Sequence, residues 1–238
     1  MARSVVVLTG AGVSAESGIR TFRDTMEGLW KDFDPGRLAT PEAFAADPEM
    51  VTRWYDHRRL GVLAAEPNPG HHALAEWERA VIGRGGAFTL LTQNVDRLHH
   101  RAGSRNVIEL HGSIVVWRCV RTGRKHEPPP VPFERFPPPS PHAAGACLRP
   151  DVVWFGEMLP TAAVAAADRA VQDCDLFVSV GTSAVVYPAA GYAYAAAARG
   201  VPVAEINRDA TPLSESIRWS IRGRSGEVLP TLLRRAFA

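Results

Sequence analysis

Cysteine is scarce in this 238-residue sequence: there are three, Cys119, Cys147 and Cys174, an odd number that cannot all pair with one another. Long apolar runs are missing too, and nothing approaches the roughly 20 consecutive apolar residues that a membrane-spanning helix needs. Residues 5–8 are apolar, but the run is too short for the core of a secretion signal and leads straight into a glycine-rich turn. The cysteines are therefore expected to be reduced thiols in a cytoplasmic protein. Charge of one sign is not in excess either. The 27 Lys and Arg nearly balance 25 Asp and Glu, for a net +2, which gives no electrostatic footprint for nucleic acid. What is present is the make-up of a globular chain, 46% hydrophobic and 22% charged, which excludes wholesale disorder. The length fits one large domain, or a core carrying a smaller inserted module.

Residues 4–8 (SVVVL) form a continuous rather than an alternating apolar run, which predicts a strand buried on both faces of a parallel sheet. The same reading gives strands at 87–92 (AFTLLT), 106–110 (NVIEL), 176–181 (LFVSVG) and 201–206. Helices are predicted from near Val13, over 40–65, 72–82, 160–172 and 189–199, and from Val228 to the end. Strands alternating with helices argue for an α/β fold, a Rossmann-like parallel sheet with helices on both faces. Two segments break the alternation. Residues 114–120 read as a strand in a different setting. Residues 127–141 hold eight prolines, too many for a helix or a central strand, and are expected to make an extended surface excursion. The expected division is a core of residues 1–25, 70–113 and 157–238, with a small module inserted twice as residues 26–69 and 114–156.

The turn after the first strand, Gly10-Ala11-Gly12-Val13-Ser14-Ala15, satisfies the G-x-G-x-x-G/A pattern. Glycines there let the backbone approach a pyrophosphate, and the following helix start offers N–H donors and a positive dipole end. A glycine-rich turn without a ligand has the same spelling, but its place after a buried strand favours a dinucleotide. An ordinary dehydrogenase would carry a second strand soon after, ending in an acidic residue ~20 positions on that holds the ribose. Here the region reads GLWKDF (28–33), which is no strand, so the nucleotide has to be gripped in another way.

Six motifs follow one another along the chain: GAGVSAESGIRTFRD (10–24), TQNVD (92–96) with Leu98 and His99, ELHG (109–112), LRPDVVWFGE (148–157), GTS (181–183) and IN (206–207). Together they resemble the signatures of the sirtuin family, in that family's order, and the chain is similar in particular to its small bacterial desuccinylase-type (class III) members. The resemblance implies removal of acyl groups from protein lysines at the expense of NAD, giving nicotinamide and an O-acyl-ADP-ribose. In that chemistry the acyl oxygen attacks the ribose carbon that nicotinamide leaves, and a histidine base then activates a ribose hydroxyl. It implies acylated-lysine proteins as partners, no nucleic acid or membrane, and a monomer.

The residues can be weighed against that scheme one at a time. A lone histidine is more often structural than catalytic, but His111 follows a strand end and sits in the ELHG motif, so the resemblance makes it the base, with a pKa near 6.5 that suits proton transfer at neutral pH. His99 and His100 are the nearest rivals and read as structural or exposed. Asn94 and Asp96 lie just past another strand end. Uncharged Asn94 can orient a ribose or a water without titrating, Asp96 can accept from the nicotinamide carboxamide, and Gln93 can bond the ribose. Either Asn94 or Asp96 could also simply cap the next helix. By resemblance, Gly10, Ala11, Gly12 and Ser14 belong to the nucleotide site, and the loop bearing Phe22 and Arg23 closes over it. Arg23 suits phosphate by its fork geometry and Phe22 can shield the reacting carbon. Gly181, Thr182 and Ser183 match the loop around the adenosine ribose and phosphates, Asn207 the residue at the adenine ribose, and Ser225 a backbone contact to adenine. Val153, Phe155 and Gly156 match the segment that pairs with substrate peptide as an added strand, a mode that tolerates many sequences. The rival is an ordinary buried strand.

Tyr55 and Arg58 stand at i and i+3 and share a helix face. In members of the family that prefer succinyl, malonyl or glutaryl lysine, such a pair meets the distal carboxylate, the arginine with a fork and the tyrosine with its hydroxyl. A basic surface helix, with Arg53 and Arg59 as neighbours, is the plainer reading. Acetyl-lysine remains an expected substrate. One departure stands out. Most members hold a structural zinc with two Cys-x-x-Cys pairs, whereas here the position three after Cys119 is Thr122, and Cys147 is out of register. Cys119, Cys147, His126 and His142 have the wrong spacing for a known zinc frame, so no metal is expected. Two alternatives share the scaffold, a protein ADP-ribosyltransferase and an NAD-sensing regulator. The presence of His111 with the Tyr-x-x-Arg pair argues against the first, and intact Asn94, Asp96 and His111 argue against the second.

Overall fold

The computed structural model describes residues 2–20, 34 and 38–237. In chain order the elements are β1 (Ser4–Thr9), α1 (Ala11–Ala15), α2 (Pro41–Ala46), α3 (Pro48–Ala64), α4 (Pro69–Ile82), β2 (Ala87–Thr92), α5 (Leu98–Arg101), β3 (Val107–Glu109), β4 (Gly112–Cys119), β5 (Lys125–His126), β6 (Leu148–Val152), α6 (Thr161–Asp173), β7 (Leu176–Val180), α7 (Gly191–Ala198), β8 (Val203–Asn207), β9 (Trp219–Arg222) and α8 (Ser225–Phe237).

Six of the strands form one sheet in the order β3-β2-β1-β7-β8-β9, parallel throughout. The unbroken run in β1 places it in the middle, because both of its faces need cover. Val6, Leu8, Leu91 and Phe177 face the side covered by α6 and α7, with Val171, Tyr192 and Ala196 packed on them. Val5, Val7, Leu90 and Val178 face the side covered by α4 and α8, against Leu74, Leu229 and Leu233. The chain leaves β1 toward β2 and β3 on one side and returns to β7, β8 and β9 on the other. That makes β1 a topological switch point, where a crevice opens beyond the carboxyl ends of the strands.

A second, antiparallel sheet has the order β5-β4-β6 and packs on α3 through Trp54, Tyr55, Trp117 and Trp154. Residues 114–119 of the strand expected over 114–120 lie in this sheet, and Val120 begins the turn after it.

The structure departs from the sequence reading in several places, the short α5 and β5 among them. The helix expected over 40–65 is two, because Asp47 leaves helical geometry at φ −146°, ψ 81° ahead of Pro48 and caps α3 through its side chain at 2.8 Å from the Met50 amide. A residue before proline is pushed out of the α region, which is the physical reason for the break. Strand β9 was not expected: Trp219, Ser220, Ile221 and Arg222 are none of them buried, as suits an edge strand. Strand β6 contains Pro150, which is tolerated because β6 too is an edge strand.

Candidate active site

Every site residue expected from the sequence and lying among the described residues lines a single cleft of about 1220 Å³ beyond the carboxyl ends of the parallel strands. Phe22 and Arg23 lie outside the described residues.

At the glycine turn the reason for glycine is steric. A Cβ on Gly12 would stand 2.7 Å from the Gly181 carbonyl oxygen, and one on Gly10 would stand 2.8 Å from the Thr182 Cα. Gly181 adopts φ +60°, and a Cβ there would meet the Val13 amide nitrogen at 2.6 Å. The turn and the loop after β7 therefore interlock at the cleft floor. The Gly10 and Gly12 amides donate to the Val180 and Gly181 carbonyls, at 3.1 and 2.8 Å. Helix α1 has five residues, too few to sum to a strong dipole, and two of the turn's amides are already spent. Gly10 and Gly12 therefore allow the close approach of the loop after β7, and Ala11 borders the cleft beside them.

Behind the turn lies a buried polar network. Asn94 donates through Nδ2 to the Gly10 carbonyl and to the Ser14 hydroxyl, both at 3.0 Å. Ser14 donates in turn to Asp96 Oδ2 at 2.7 Å. With both amide hydrogens of Asn94 occupied, the group it turns to a ligand is the acceptor Oδ1. Asp96 also accepts the Leu98 amide at 2.9 Å, so it caps α5 while facing the cleft, and burial raises its pKa against the opposing pull of these hydrogen bonds. The sequence reading missed His71. Its Nδ1 accepts from the Asn68 amide at 3.3 Å, which leaves the proton on Nε2, 3.4 Å from Ser14. Burial pushes its pKa down to about 4, so it stays neutral. His99 is buried against the Thr9 hydroxyl at 2.9 Å, whereas His100 is exposed, so neither rivals His111. The signal for His71 was its place at the third position of a helix capped by Asn68.

His111 is half-buried at the cleft. Its Nδ1 lies 3.0 Å from the Gln93 carbonyl oxygen, an acceptor, so Nδ1 carries the proton and Nε2 holds the lone pair. Burial lowers its pKa, partly offset by that bond. Gln93 donates to the Thr182 hydroxyl at 2.9 Å, and Asn207 to the Thr182 carbonyl at 3.0 Å, which ties the ends of β2, β7 and β8 together. Ser183 lines the same wall. The Ser225 hydroxyl donates to Glu16 at 2.7 Å, a partner the sequence did not suggest.

At the opposite wall, the Val153 amide donates to the His111 carbonyl and the Phe155 amide to the Ala39 carbonyl, each at 2.9 Å. Val153, Phe155 and Gly156 are the segment expected to meet a substrate strand; with these two amides spent internally, a peptide laid here pairs through other groups. Phe155 is half-exposed, and Gly156 is at φ +86° with open space beside its Cα. Tyr55 and Arg58 both reach the cleft from α3. Burial pushes the Tyr55 phenol up to about 12, and burial lowers the Arg58 pKa while Tyr55 supports its charge. The arginines of this helix are not one solvated face: Arg53 is exposed and pairs with Glu49, but Arg59 is fully buried on Asp56 at 2.7 Å. The three cysteines are unpaired thiols: Cys119 is buried in β4, Cys147 precedes β6, and Cys174 is buried between α6 and β7, while the His126 and His142 rings stand 5.9 Å apart. Among the described residues no group of three or more His, Cys, Asp or Glu is placed to hold a metal ion.

The comparisons agree with this geometry. The Sir2 family model matches residues 10–188. An NAD-dependent protein deacylase of Thermus thermophilus is 50% identical over 232 residues, covering 98% of this chain and 90% of that protein. NAD-dependent protein deacylase sirtuin-5, mitochondrial, of Danio rerio is 41% identical over 255 residues, covering 98% and 83%. A crystal structure of a Sir2 homolog–NAD complex superposes with a TM-score of 0.90 at 49% identity, covering 98% of this chain and 89% of that one. A fold that superposes at a TM-score of 0.90 and matches across nearly its whole length make one conclusion: this chain belongs to the Sir2, or sirtuin, family.

Proposed function

We propose that the protein is an NAD-dependent protein-lysine deacylase that favours acidic acyl groups, succinyl or malonyl, and also accepts acetyl. The observation that carries this reading is His111, with Nδ1 tied to a carbonyl and a basic Nε2, in the same cleft as the glycine turn, Asn94 and Asp96. The chemistry of the lining fits NAD: neutral donors and acceptors on Gln93, Thr182, Ser183 and Asn207, and a carboxylate, Asp96, that can accept from a carboxamide. Bound NAD supplies an electrophilic ribose carbon, from which nicotinamide departs, and a neighbouring ribose hydroxyl. Nε2 of His111 takes the proton of that hydroxyl. Oδ1 of Asn94 accepts a hydrogen bond and holds the sugar in place, Phe22 keeps water away, and Arg23 meets the phosphates. Acyl-lysine, NAD and one water give nicotinamide, the O-acyl-ADP-ribose and free lysine.

In this reading residues 1–25, 70–113 and 157–238 make the NAD-binding body, and residues 26–69 and 114–156 the module that meets the acyl group. Arg58 offers a charged fork and Tyr55 a hydroxyl to a distal carboxylate. Val153, Phe155 and Gly156 border the substrate backbone. The enzyme acts as a cytoplasmic monomer. No helix among the described residues is long and apolar enough to cross a membrane.

The test is incubation with NAD and matched succinyl-lysine and acetyl-lysine peptides, followed by mass spectrometry. Both acyl groups should leave with NAD consumed, and His111→Ala should slow both by about 10²–10⁴-fold. Arg58→Met should lower the succinyl-to-acetyl ratio of kcat/KM by about 10–100-fold, the loss of charge-assisted hydrogen bonds. Removal of acetyl alone would discard the acid pocket. Transfer of ADP-ribose to protein would favour a transferase, and binding of NAD without turnover a regulator.

A further inference from the structure

Tyr55 is almost wholly buried, yet it borders the cleft, and its hydroxyl accepts a hydrogen bond from Nε1 of Trp154 at 3.0 Å. An indole nitrogen can only donate. The bond therefore occupies a lone pair of the Tyr55 oxygen and leaves the phenolic hydrogen to be donated elsewhere, and the cleft is the side on which a ligand can receive it.

Trp154 is itself held on several sides. The Arg149 guanidinium lies 3.3 Å from its ring centroid, and Phe44 packs at 5.3 Å. Arg149 forks onto Glu157 at 2.7 and 2.9 Å, and Glu157 Oε2 also accepts the Trp154 backbone amide at 2.9 Å. Arg149 further donates to the Val152 carbonyl at 3.1 Å. The chain between Arg149 and Glu157 is thus closed by an ion pair around the indole. Trp154 has no path to a second rotamer without breaking that clamp, since packed interiors are close to crystal density.

We propose that Trp154, clamped by Arg149 and Glu157, is a positioning residue for acidic acyl groups: its N–H sets the direction of the Tyr55 hydroxyl, so that this hydroxyl donates to a carboxylate held by Arg58. This inference rests on the acid-pocket reading above. A neutral acetyl group has no distal carboxylate, so the alignment matters to one class of substrate and not the other.

The experiment measures kcat and KM with succinyl-lysine and acetyl-lysine peptides for wild type, Trp154→Phe, Tyr55→Phe and the double variant. Phenylalanine removes the N–H and keeps an aromatic ring. Trp154→Phe should lower the succinyl-to-acetyl ratio of kcat/KM by about tenfold, mostly through the KM for succinyl peptide, as expected for one lost hydrogen bond to a ligand-facing donor. In the Tyr55→Phe background the same change should lower the ratio no further, because the group it aligns is gone. A ratio unchanged in Trp154→Phe, or independent losses in the double variant, would overturn the proposal. Should Trp154→Phe not fold, Arg149→Lys applies the same criterion, since lysine keeps a cation but cannot make the fork; an unchanged ratio there overturns the proposal too. The two readings fail differently. If wild type does not remove succinyl, or Arg58→Met leaves the ratio intact, the acid pocket falls and this proposal with it. If Arg58→Met lowers the ratio and Trp154→Phe does not, only the role of Trp154 falls.

Discussion

In the parallel sheet Val7, Leu90 and Phe177 are completely buried between helices, and their neighbours are other apolar side chains. Between the three-stranded sheet and α3, Trp54, Trp117 and Trp154 are equally buried, but they share their interior with two arginines. Arg59 reaches from α3 to Asp56, to the Pro129 carbonyl at 2.8 Å and to the Val131 carbonyl at 2.6 Å, while Asp56 also accepts the Phe133 amide at 3.1 Å. Arg149 and Glu157 do the same for the other edge. The first region closes by apolar volume. The second pins a proline-rich segment, which has few backbone amides to offer, with a buried ion pair. A charge in that position holds only while every partner is present.

The largest stability effect should come from breaking the pin. Arg59→Met leaves Asp56 buried without its partner and two carbonyls without a donor, and is expected to cost about 3–5 kcal/mol. Adding Asp56→Leu removes the stranded charge, so the double variant should be more stable than Arg59→Met alone. A core truncation such as Leu90→Ala, at about 2–5 kcal/mol, has no second change of this kind that repairs it. Urea unfolding of wild type, Leu90→Ala, Arg59→Met, Asp56→Leu and the double variant decides the matter. Simple addition of the two module effects, or a cost for Arg59→Met below ~1 kcal/mol, would mean that the module closes by apolar packing like the core.

This contrast also explains what could be read from the sequence. The runs at 4–8 and 87–92 show that they are buried on both faces by being continuous, and the glycine turn and His111 lie at strand ends, where the fold places chemistry. Strand β9 left no such mark, because an edge strand needs neither continuity nor alternation. Nor does anything local tell Arg59, which faces a carbonyl 70 residues away, from Arg53, which faces solvent. His71 was missed for a related reason, since its partner Ser14, 57 residues away, meets it only after α4 docks on the sheet. The amides of Val153 and Phe155 are spent on His111 and Ala39, again across long separations.

Acid should separate the two regions. The pKa of His71 is about 4 in the folded core against 6.5 in an unfolded chain. Between these values the unfolded state binds the extra proton, so stability present above pH ~6.5 is lost as pH falls toward ~4, by up to about 3 kcal/mol. His99, lowered further by burial, acts in the same direction. In the module, burial alone would raise the Glu157 pKa, but the Arg149 hydrogen bonds and charge outweigh it and hold it below the ordinary value. Its contribution is present above the unfolded pKa and is lost only in stronger acid. Protection factors at pH 5, corrected for the pH dependence of intrinsic amide exchange, should therefore fall in β1 and β2 before β4 and β6. The lowered pKa of His111 likewise keeps its neutral, basic form below pH 6.5, so the acid limb of kcat/KM should fall there. Protection that falls equally in both sheets would deny the core histidines this part.

The mildest test uses two helix caps, one from each region. Asn68 caps α4 in the core, accepting the Gly70 amide at 2.9 Å, and it also donates to the Val13 carbonyl at 2.8 Å and the Ser17 hydroxyl at 2.9 Å. Asp47 caps α3 in the module with one bond to the Met50 amide, and its side chain is exposed. Asn68→Ala should cost about 2–3 kcal/mol, a cap plus a buried carbonyl left without its donor. Asp47→Ala should cost only about 1 kcal/mol, because water can replace the lost acceptor at an exposed helix start. Helix α3 carries Tyr55 and Arg58, but its position is set by Val51, Trp54 and Arg59 further along, so fraying its first turn should leave the succinyl-to-acetyl ratio as it was. Thermal unfolding of the two variants, with the ratio measured on Asp47→Ala, completes the comparison. A shifted ratio would mean that the acyl pocket depends on the start of α3, and the buried pins would no longer suffice to explain the shape of the module.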